Sequence, residues 1–317
     1  PNGVPYAAFG LLWRVLGPQL VGAHQARLMD ENFIQPLDLN DNTGEPNSLA
    51  DAIGSFNPVW DAHDDPDACF WRAVPFARQV LENENAAAKA DKRAHEVIAK
   101  ALAKPAKGWK TVFPMMSEEG SHAAYEERKA VSTYWLVDPL DGTKEFLKRN
   151  GEFTVNIALI DNGKPVLGVV YVPVTGVVYF GCKEMGAYKS EIDDKKQFKI
   201  RPQRLPFLDL KHNRHYTVMT SRSHLSDETL VYLDQVRAKH PDMLTIQSGS
   251  SLKICLVAEG LADEYPRLGP TMEWDTAAGQ AVAEAAGCSV TDAGSGQSLR
   301  YNKEDLHNPY FIVAPKS

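Results

Sequence analysis

The sequence is organised around YWLVDPLDGT, residues 134–143, in which an apolar run leads directly into two aspartates. The apolar residues predict a buried strand that ends at Asp138 and fixes its carboxylate. Pro139 restricts the backbone after the strand, and Gly142 permits a tight turn that brings Asp141 back beside Asp138. Two carboxylates at one point suit a hard divalent cation such as Mg²⁺, which often brings a substrate phosphate with it. An ordinary Asp-Gly hairpin turn fits the same residues, so this stretch alone leaves both interpretations open.

Length and charge narrow the class of protein. The chain has 317 residues, which is long enough for two domains, each with its own core. Its formal net charge is −7. The acidic balance argues against a nucleic acid polymer as partner. A small anionic substrate stays compatible, because a bound metal reverses the local field in one cleft. No apolar run approaches the roughly 20 residues that a membrane span needs, so no transmembrane segment is predicted.

The four cysteines point to a reducing compartment. They are widely spaced and form no Cys-x-x-Cys pair, which is typical of reduced thiols rather than of a disulfide framework or a zinc site. We therefore expect a cytoplasmic protein. The chain begins at Pro1, which fits a processed or trimmed form, and an organellar stroma or matrix is the alternative if a transit peptide has been removed.

The periodicity of the sequence divides the chain into three parts. Residues 1–70 form an N-terminal extension of unknown role, with an amphipathic helix predicted from Leu11 to Met29. Residues 71–204 begin with a helical pattern over 76–103 and continue as strands. Residues 205–317 alternate short strands with helices, which predicts an α/β domain. The strands predicted in the second part cover 153–160, 165–172 and 177–180, separated by the turn pairs Asn162-Gly163 and Thr175-Gly176.

Acidic residues outside the central stretch are further candidates for the same site. Glu118 and Glu119 follow a short apolar segment that predicts a strand delivering them to a sheet edge, although a solvated pair of surface glutamates is the alternative. Asp275 opens the helical segment 276–282, where an aspartate is commonly the N-cap. Asp275 can be both an N-cap and a metal ligand. The helix N-terminus also favours a nearby phosphate, which would lie beside the metal.

Three separated segments together resemble the metal-binding signatures of the inositol monophosphatase superfamily. They are Glu118-Glu119, residues 135–143, and WDTAAG at 274–279. A closer similarity, to the bacterial type of 3′(2′),5′-bisphosphate nucleotidase, comes from TKEF at 143–146, RNGEFTVNIALI at 149–160 and GSSLK at 249–253. The resemblance is strong from about residue 112 to the C-terminus, weaker over 76–111 and absent before that.

The resemblance implies both a fold and a set of metal ligands. The fold is α+β, a layered α-β-α-β-α sandwich with an antiparallel-sheet N-terminal domain and an α/β C-terminal domain, and the metals lie between the two. Two or three Mg²⁺ ions are expected. The resemblance assigns one ion to Glu118, Asp138 and the Leu140 carbonyl, and a second to Asp138, Asp141 and Asp275.

The resemblance also implies catalytic roles. Thr143 orients the attacking water, Glu118 takes part in catalysis, and Gly142 lets backbone N–H groups approach the phosphate. Asp91 supports Thr143 in a proton relay. Residues 86–88 read Ala-Ala-Ala where Pro-Val-Thr is usual, which puts the contribution of Asp91 in question, and a helix N-cap is its alternative role.

The remaining residues implied by the resemblance contact the substrate. A lone lysine or histidine is more often an ordinary surface residue, so these assignments depend on the resemblance. The substrate-binding set is Gly142, Thr143, Ser221, His224, Gly249, Lys253, Arg267 and Asp275.

The expected activity is that of a Mg²⁺-dependent phosphomonoesterase. It would hydrolyse 3′-phosphoadenosine 5′-phosphate to AMP and phosphate, and 3′-phosphoadenosine 5′-phosphosulfate is a related substrate. An inositol or sugar phosphate phosphatase is one alternative, and a non-catalytic sensor that binds the nucleotide is another. The sequence leaves monomer and homodimer open.

Overall fold

The structure is a computed structural model that describes residues 86–105, 110–193, 197–207, 214–222 and 226–316, with isolated positions between 14 and 35. The chain separates into two compact units, 1–89 and 90–317. The elements below belong to the second unit, apart from residues 86–89, which are helical. Most of the helix predicted over 11–29, together with residues 76–85, lies outside the described residues. The predicted domain boundaries at 70/71 and 204/205 stay predictions.

A seven-stranded sheet follows helix α1 (residues 86–102). Its strands lie in chain order, and β1 is parallel to β2 while every later neighbour is antiparallel. Two short helices, α2 (Tyr125–Arg128) and α3 (Thr143–Lys148), lie on either side of β2 in the sequence. The strands are β1 Met115–Ser117, β2 Thr133–Asp141, β3 Thr154–Asp161, β4 Lys164–Val172, β5 Val177–Cys182, β6 Gly186–Glu191 and β7 Gln203–Arg204.

The predicted hairpin turns are confirmed. Asn162 and Gly163 both have positive φ, at 50° and 71°, and they join β3 to the antiparallel β4. A two-residue turn of this kind matches the right-handed twist of the flanking strands. Gly176 also has positive φ, at 73°, in the connection between β4 and β5.

The C-terminal part alternates strands and helices, as predicted. The strands β8 (Thr217–Ser221) and β9 (Leu244–Ser248) pair in parallel, and the other three form an antiparallel sheet in the order β10, β12, β11. The remaining elements are α4 Asp227–Lys239, α5 Leu252–Glu259, β10 Tyr265–Arg267, α6 Glu273–Ala285, β11 Cys288–Asp292 and β12 Phe311–Pro315.

Helices α5 and α6 form a layer between the two groups of strands. Helix α6 packs across β2 to β6 on one side and against α5 and β11 on the other, while α5 contacts β8, β10 and β12. One continuous hydrophobic core joins the seven-stranded sheet, both helices and the C-terminal strands. Helix α4 covers β8 through a second, smaller cluster. None of the helices in the described residues is both long and apolar enough to cross a lipid bilayer.

Small residues allow α6 to approach the sheet closely. Gly168 on β4 faces Ala278 and Ala281 of α6, and a Cβ at position 168 would lie 2.2 Å from the Ala278 carbonyl oxygen and 2.8 Å from the Ala281 Cβ. No side chain other than hydrogen fits at such distances. Since α6 carries Asp275 and the sheet carries Asp138 and Asp141, this contact sets the separation of the predicted metal ligands.

Gly168→Ala therefore tests the contact between α6 and the sheet. We expect it to lower the free energy of unfolding by about 1–3 kcal/mol, because the new methyl must displace backbone. Urea unfolding of the full chain measures this change. Gly294→Ala is the control, since a Cβ there meets its nearest atom at 3.4 Å, an ordinary contact. Equal stability of the two variants would contradict the packing argument.

Candidate metal and phosphate site

A β-bulge places the two aspartates at the end of β2. Asp138 pairs with Asn156 and Asp141 pairs with Thr154, so two residues of β2 stand opposite the single residue Val155. Bulges redirect side chains and are one of the few places in a sheet that accept proline. Asp138 is 1% exposed, and its Oδ1 accepts a hydrogen bond from the Leu140 backbone N–H at 3.0 Å. The predicted tight turn follows, with Gly142 at φ 95°.

Asp141 is held by donors from two other elements. Its Oδ2 accepts hydrogen bonds from the Ser251 backbone N–H at 2.6 Å and from the Asn156 Nδ2 at 3.2 Å. Thr154 Oγ1 also donates to it, at 3.3 Å. Ser251 Oγ lies 2.7 Å from the same oxygen and contacts the Asp275 carbonyl as well, so its single hydrogen serves one of the two at a time. One carboxylate oxygen of Asp141 is thus fixed by the protein.

Asp275 reaches the site from the first turn of α6. The helix begins at Glu273 with Met272 as its N-cap, so Asp275 is the third helical residue and its alternative role as N-cap is wrong. Its Oδ2 instead accepts a hydrogen bond from the Met272 backbone N–H at 2.8 Å, the return contact that a third helical residue makes to a cap. This bond fixes one oxygen of Asp275 as well.

Glu118 and Asp91 complete the acidic cluster. Glu118 follows β1, its backbone N–H donates to the Val137 carbonyl at 3.1 Å, and its side chain is hydrogen-bonded to Asp138. Asp91 lies inside α1 rather than at its start, so its alternative role as N-cap is also wrong. It is hydrogen-bonded to Glu119, and its Oδ1 is buried without a hydrogen-bond partner.

Removal from water and mutual repulsion dominate the electrostatics of this cluster. Desolvation, followed by the charge of Asp91, raises the pKa of Glu118 to about 8. Desolvation, followed by Glu119, raises the pKa of Asp91 to about 8. Desolvation also holds the pKa of Asp138 and of Asp275 well above the usual range, with Glu118 and Asp141 respectively as the next largest cause. Burial and mutual repulsion therefore disfavour the ionised forms of these carboxyl groups, and a divalent cation bound among them would favour those forms.

The chemistry of these side chains fits Mg²⁺. Their donors are all oxygen, the type that hard cations prefer, and a backbone N–H holds one oxygen of Asp138, Asp141 and Asp275 each. Among the described residues, no group of three His, Cys, Asp or Glu side chains is already arranged to hold a metal ion.

The predicted substrate residues of the C-terminal part share one sheet edge. Strands β8 and β9 are parallel, and Glu264, just before β10, makes a parallel bridge to Val218 of β8. The three strands therefore end at the same edge, with Ser221, Gly249 and Arg267 at or just after the strand ends. Ligands of α/β sheets bind outside such carboxyl ends. His224 lies outside the described residues.

Two of the substrate candidates already have protein partners. Lys253 is 4% exposed, so the alternative of an ordinary surface lysine is wrong; its Nζ donates to the carbonyls of Ser248 at 3.2 Å and Ser250 at 2.7 Å. Burial lowers the pKa of Lys253 to about 8. Arg267 donates to the Pro270 carbonyl at 2.9 Å, and its charge also lowers the pKa of Asp275. Thr143 is the exposed first residue of α3.

Sequence reasoning missed the residues that hold these groups in place. Asn156 and Ser251 support Asp141, and Glu152 ties the turn after β9 to β8. Glu152 accepts from the Gly249 backbone N–H at 2.8 Å and pairs with Arg222 at 2.8 Å. A polar Asn156 inside an otherwise apolar strand was a usable signal, because a buried amide needs partners. Nothing in the sequence spacing marks Glu152.

Comparison with known proteins identifies the family of the chain. The model of the inositol monophosphatase family matches residues 74–317, so the chain belongs to the inositol monophosphatase family. The α+β fold of that family, predicted from the sequence, is confirmed by its structural neighbours.

Several similar proteins are nucleotidases by name. The 3′(2′),5′-bisphosphate nucleotidase CysQ of Salmonella typhimurium is 48% identical over 242 residues, 76% of this chain and 90% of the relative. The protein of that name from Escherichia coli K12 is 52% identical over 202 residues, 63% of this chain and 75% of the relative. The crystal structure of CysQ from Bacteroides thetaiotaomicron matches with a TM-score of 0.65 at 43% identity, covering 85% of this chain and 93% of that one.

Ser251→Ala tests whether the support of Asp141 matters for metal binding. The variant keeps the backbone donor but loses the hydroxyl that Asp141, Asn156 and the Asp275 carbonyl share. Because loss of a residue that orients a metal ligand typically weakens binding 10- to 100-fold, we expect a decrease of about that size in Mg²⁺ affinity. Isothermal titration calorimetry without substrate measures it.

The control for this titration is Ser289→Ala. Ser289 lies on β11, and its hydroxyl bonds the Ala314 carbonyl at 3.3 Å, away from the acidic cluster. Its Mg²⁺ affinity should equal that of the unmodified chain. If Ser251→Ala also binds Mg²⁺ with unchanged affinity, then Ser251 does not position Asp141 for the metal.

Proposed function

We propose that this chain is a Mg²⁺-dependent phosphomonoesterase that hydrolyses 3′-phosphoadenosine 5′-phosphate to AMP and phosphate. The observation that carries the proposal is the meeting of carboxylates from three separate elements, the end of β2, the turn after β1 and the start of α6. Relatives named as 3′(2′),5′-bisphosphate nucleotidases, at 48–52% identity, favour a nucleotide bisphosphate among the phosphate esters that such a site could cleave.

The acidic residues would hold two or three Mg²⁺ ions. Glu118, Asp138 and the Leu140 carbonyl are proposed for one ion, and Asp138, Asp141 and Asp275 for another. Bound there, Mg²⁺ supplies positive charge that stabilises the phosphate oxygens and lowers the pKa of water. Metal dependence is general in this family, and sensitivity to Li⁺ is typical of it.

The other residues would act on the water and the phosphate ester. Thr143, at the exposed start of α3, is placed after the Asp141-Gly142 turn, where its hydroxyl can orient the attacking water. Asp91 has a buried oxygen without a hydrogen-bond partner, and this oxygen can accept a proton in the proposed relay with Thr143. Attack of water on phosphorus breaks the bond to the ribose 3′ oxygen, which leaves with a proton as the AMP hydroxyl.

The nucleotide would lie along the shared edge of β8, β9 and β10. Ser221, Gly249 and Arg267 sit at that edge, and the proposal adds His224 and Lys253 as further contacts. Arg267 and Lys253 place positive charge beside the acidic cluster, which suits a substrate with a second phosphate. Lys253 donates to two backbone carbonyls, and the third hydrogen of its ammonium group would be the donor to the phosphate.

Two other functions are distinguishable from this one. An inositol phosphate phosphatase shares the fold and the metal chemistry but needs no second anion site. A non-catalytic nucleotide sensor is suggested by Ala-Ala-Ala at 86–88, where the nucleotidases usually have a threonine before Asp91. The complete set of acidic residues favours an enzyme over the sensor.

A phosphate-release assay separates these functions. We expect 3′-phosphoadenosine 5′-phosphate to be cleaved with a higher kcat/KM than inositol 1-phosphate, and no release when Mg²⁺ is removed. Asp138→Asn should lower turnover about 10³-fold or more, because Asp138 is shared by both proposed ions. Asp242→Asn, at an exposed position, is the matched control and should retain activity.

The assay has two outcomes that would overturn the proposal. Faster cleavage of inositol 1-phosphate would assign the chain to the alternative phosphatase activity. Binding of the nucleotide without release of phosphate, in the presence of Mg²⁺, would assign it to the sensor.

A further inference from the structure

We propose that His95 is a positioning residue, which fixes the turn carrying Glu118 through a hydrogen bond to Ser117 and thereby sets the affinity of the site for Mg²⁺. The inference rests on the proposed function, because it concerns the metal ligands named there. It adds a residue of α1 that makes no direct contact with the phosphate in that mechanism.

Ser117 connects the turn that carries Glu118 to helix α1 and to the loop that follows. Ser117 is the last residue of β1, is 2% exposed and directly precedes Glu118. Its Oγ lies 2.9 Å from the His95 Nδ1. Its carbonyl accepts hydrogen bonds from the Gly120 backbone N–H at 2.9 Å and from the His122 Nε2 at 2.8 Å. The hydroxyl therefore links the end of β1, directly before Glu118, to helix α1.

His95 lies on the face of α1 that contacts the turn carrying Glu118. Asp91 and His95 are four residues apart and lie on one helix face. Asp91 is hydrogen-bonded to Glu119, while His95 bonds Ser117, so the same face attaches to both sides of Glu118. A Cβ built on Gly120 would lie 3.8 Å from the His95 Cε1, which places the imidazole against the turn.

The turn also contacts the residue before Asp275, the proposed metal ligand on α6. The rings of His122 and Trp274 are 5.0 Å apart, and Trp274 immediately precedes Asp275. Glu118 itself bonds Asp138 through its side chain. A displaced turn would therefore move Glu118 relative to both Asp138 and Asp275, and a metal site tolerates little misplacement of its ligands.

Because His95 bonds Ser117 through Nδ1, two variants can separate the role of this hydrogen bond from that of the side chain's size. The side-chain amide of asparagine occupies nearly the position of the imidazole Nδ1, whereas that of glutamine extends toward Nε2. If the bond to Ser117 is what matters, His95→Asn should keep it and His95→Gln should lose it. A role in filling space would favour the larger glutamine instead.

The experiment is a Mg²⁺ titration of the full chain by calorimetry without substrate, accompanied by thermal unfolding without Mg²⁺. We expect His95→Ala and Ser117→Ala each to weaken Mg²⁺ binding about 10- to 100-fold. The double variant should bind no more weakly than either single variant, because both remove one hydrogen bond. His95→Asn should bind within about threefold of the unmodified chain, and His95→Gln should resemble His95→Ala.

Lys100→Ala, exposed on the same helix, is the control and should bind Mg²⁺ normally. Equal affinity of His95→Ala and the unmodified chain, or additive losses in the double variant, would overturn the inference. Failure of the unmodified chain to bind Mg²⁺ would instead overturn the proposed function. If His95→Ala does not fold, Ser117→Ala and the asparagine–glutamine pair still decide the question, and better binding by His95→Gln than by His95→Asn would contradict the inference.

Discussion

Repulsion among desolvated carboxylates is the constraint on which the rest of this structure depends. Desolvation is the largest cause of the raised pKa of the buried Asp138, and the charges of Glu118, Asp141, Asp275 and Asp91 raise it further. A fold gains no stability from such a cluster, since each buried negative charge makes the others less favourable. The surrounding scaffold must therefore hold the carboxyl groups together against their repulsion, and the proposed cation would provide the compensating charge.

The scaffold does this with rigid elements rather than with the loops alone. Gly168 lets α6 lie directly on the sheet, which sets how far Asp275 is from β2. The bulge in β2 aims Asp138 and Asp141, and Ser251 connects Asp141 to the backbone of α6. Each of these contacts joins two elements. A substitution at one of them would therefore displace a proposed metal ligand without altering the ligand itself, which is how supporting residues affect a metal site.

Sequence patterns marked the acidic residues of the candidate site but not the residues that hold them in place. The central stretch, the Asn162-Gly163 turn and the helices α4 to α6 were predictable, because each has a strong local pattern or a residue with special backbone freedom. The strands β10 and β11 were not predicted, since β10 has three residues including Pro266 and β11 has no marked alternation. Asp275 and Asp91 were given N-cap alternatives that the structure contradicts. His95, Glu152 and Ser251 act through contacts distant in sequence, which no single-sequence pattern reveals.

We propose that Glu118, Asp138, Asp141 and Asp275 surround bound divalent cations. A crystal structure of the full chain with Mn²⁺ replacing Mg²⁺, in which anomalous scattering locates the metal, tests this proposal. We expect anomalous peaks among these four side chains, at coordination distance from Asp138, with Asp141 and Asp275 sharing at least one ion. Peaks elsewhere, or an Asp275 or Glu118 side chain turned away from the metal, would contradict it.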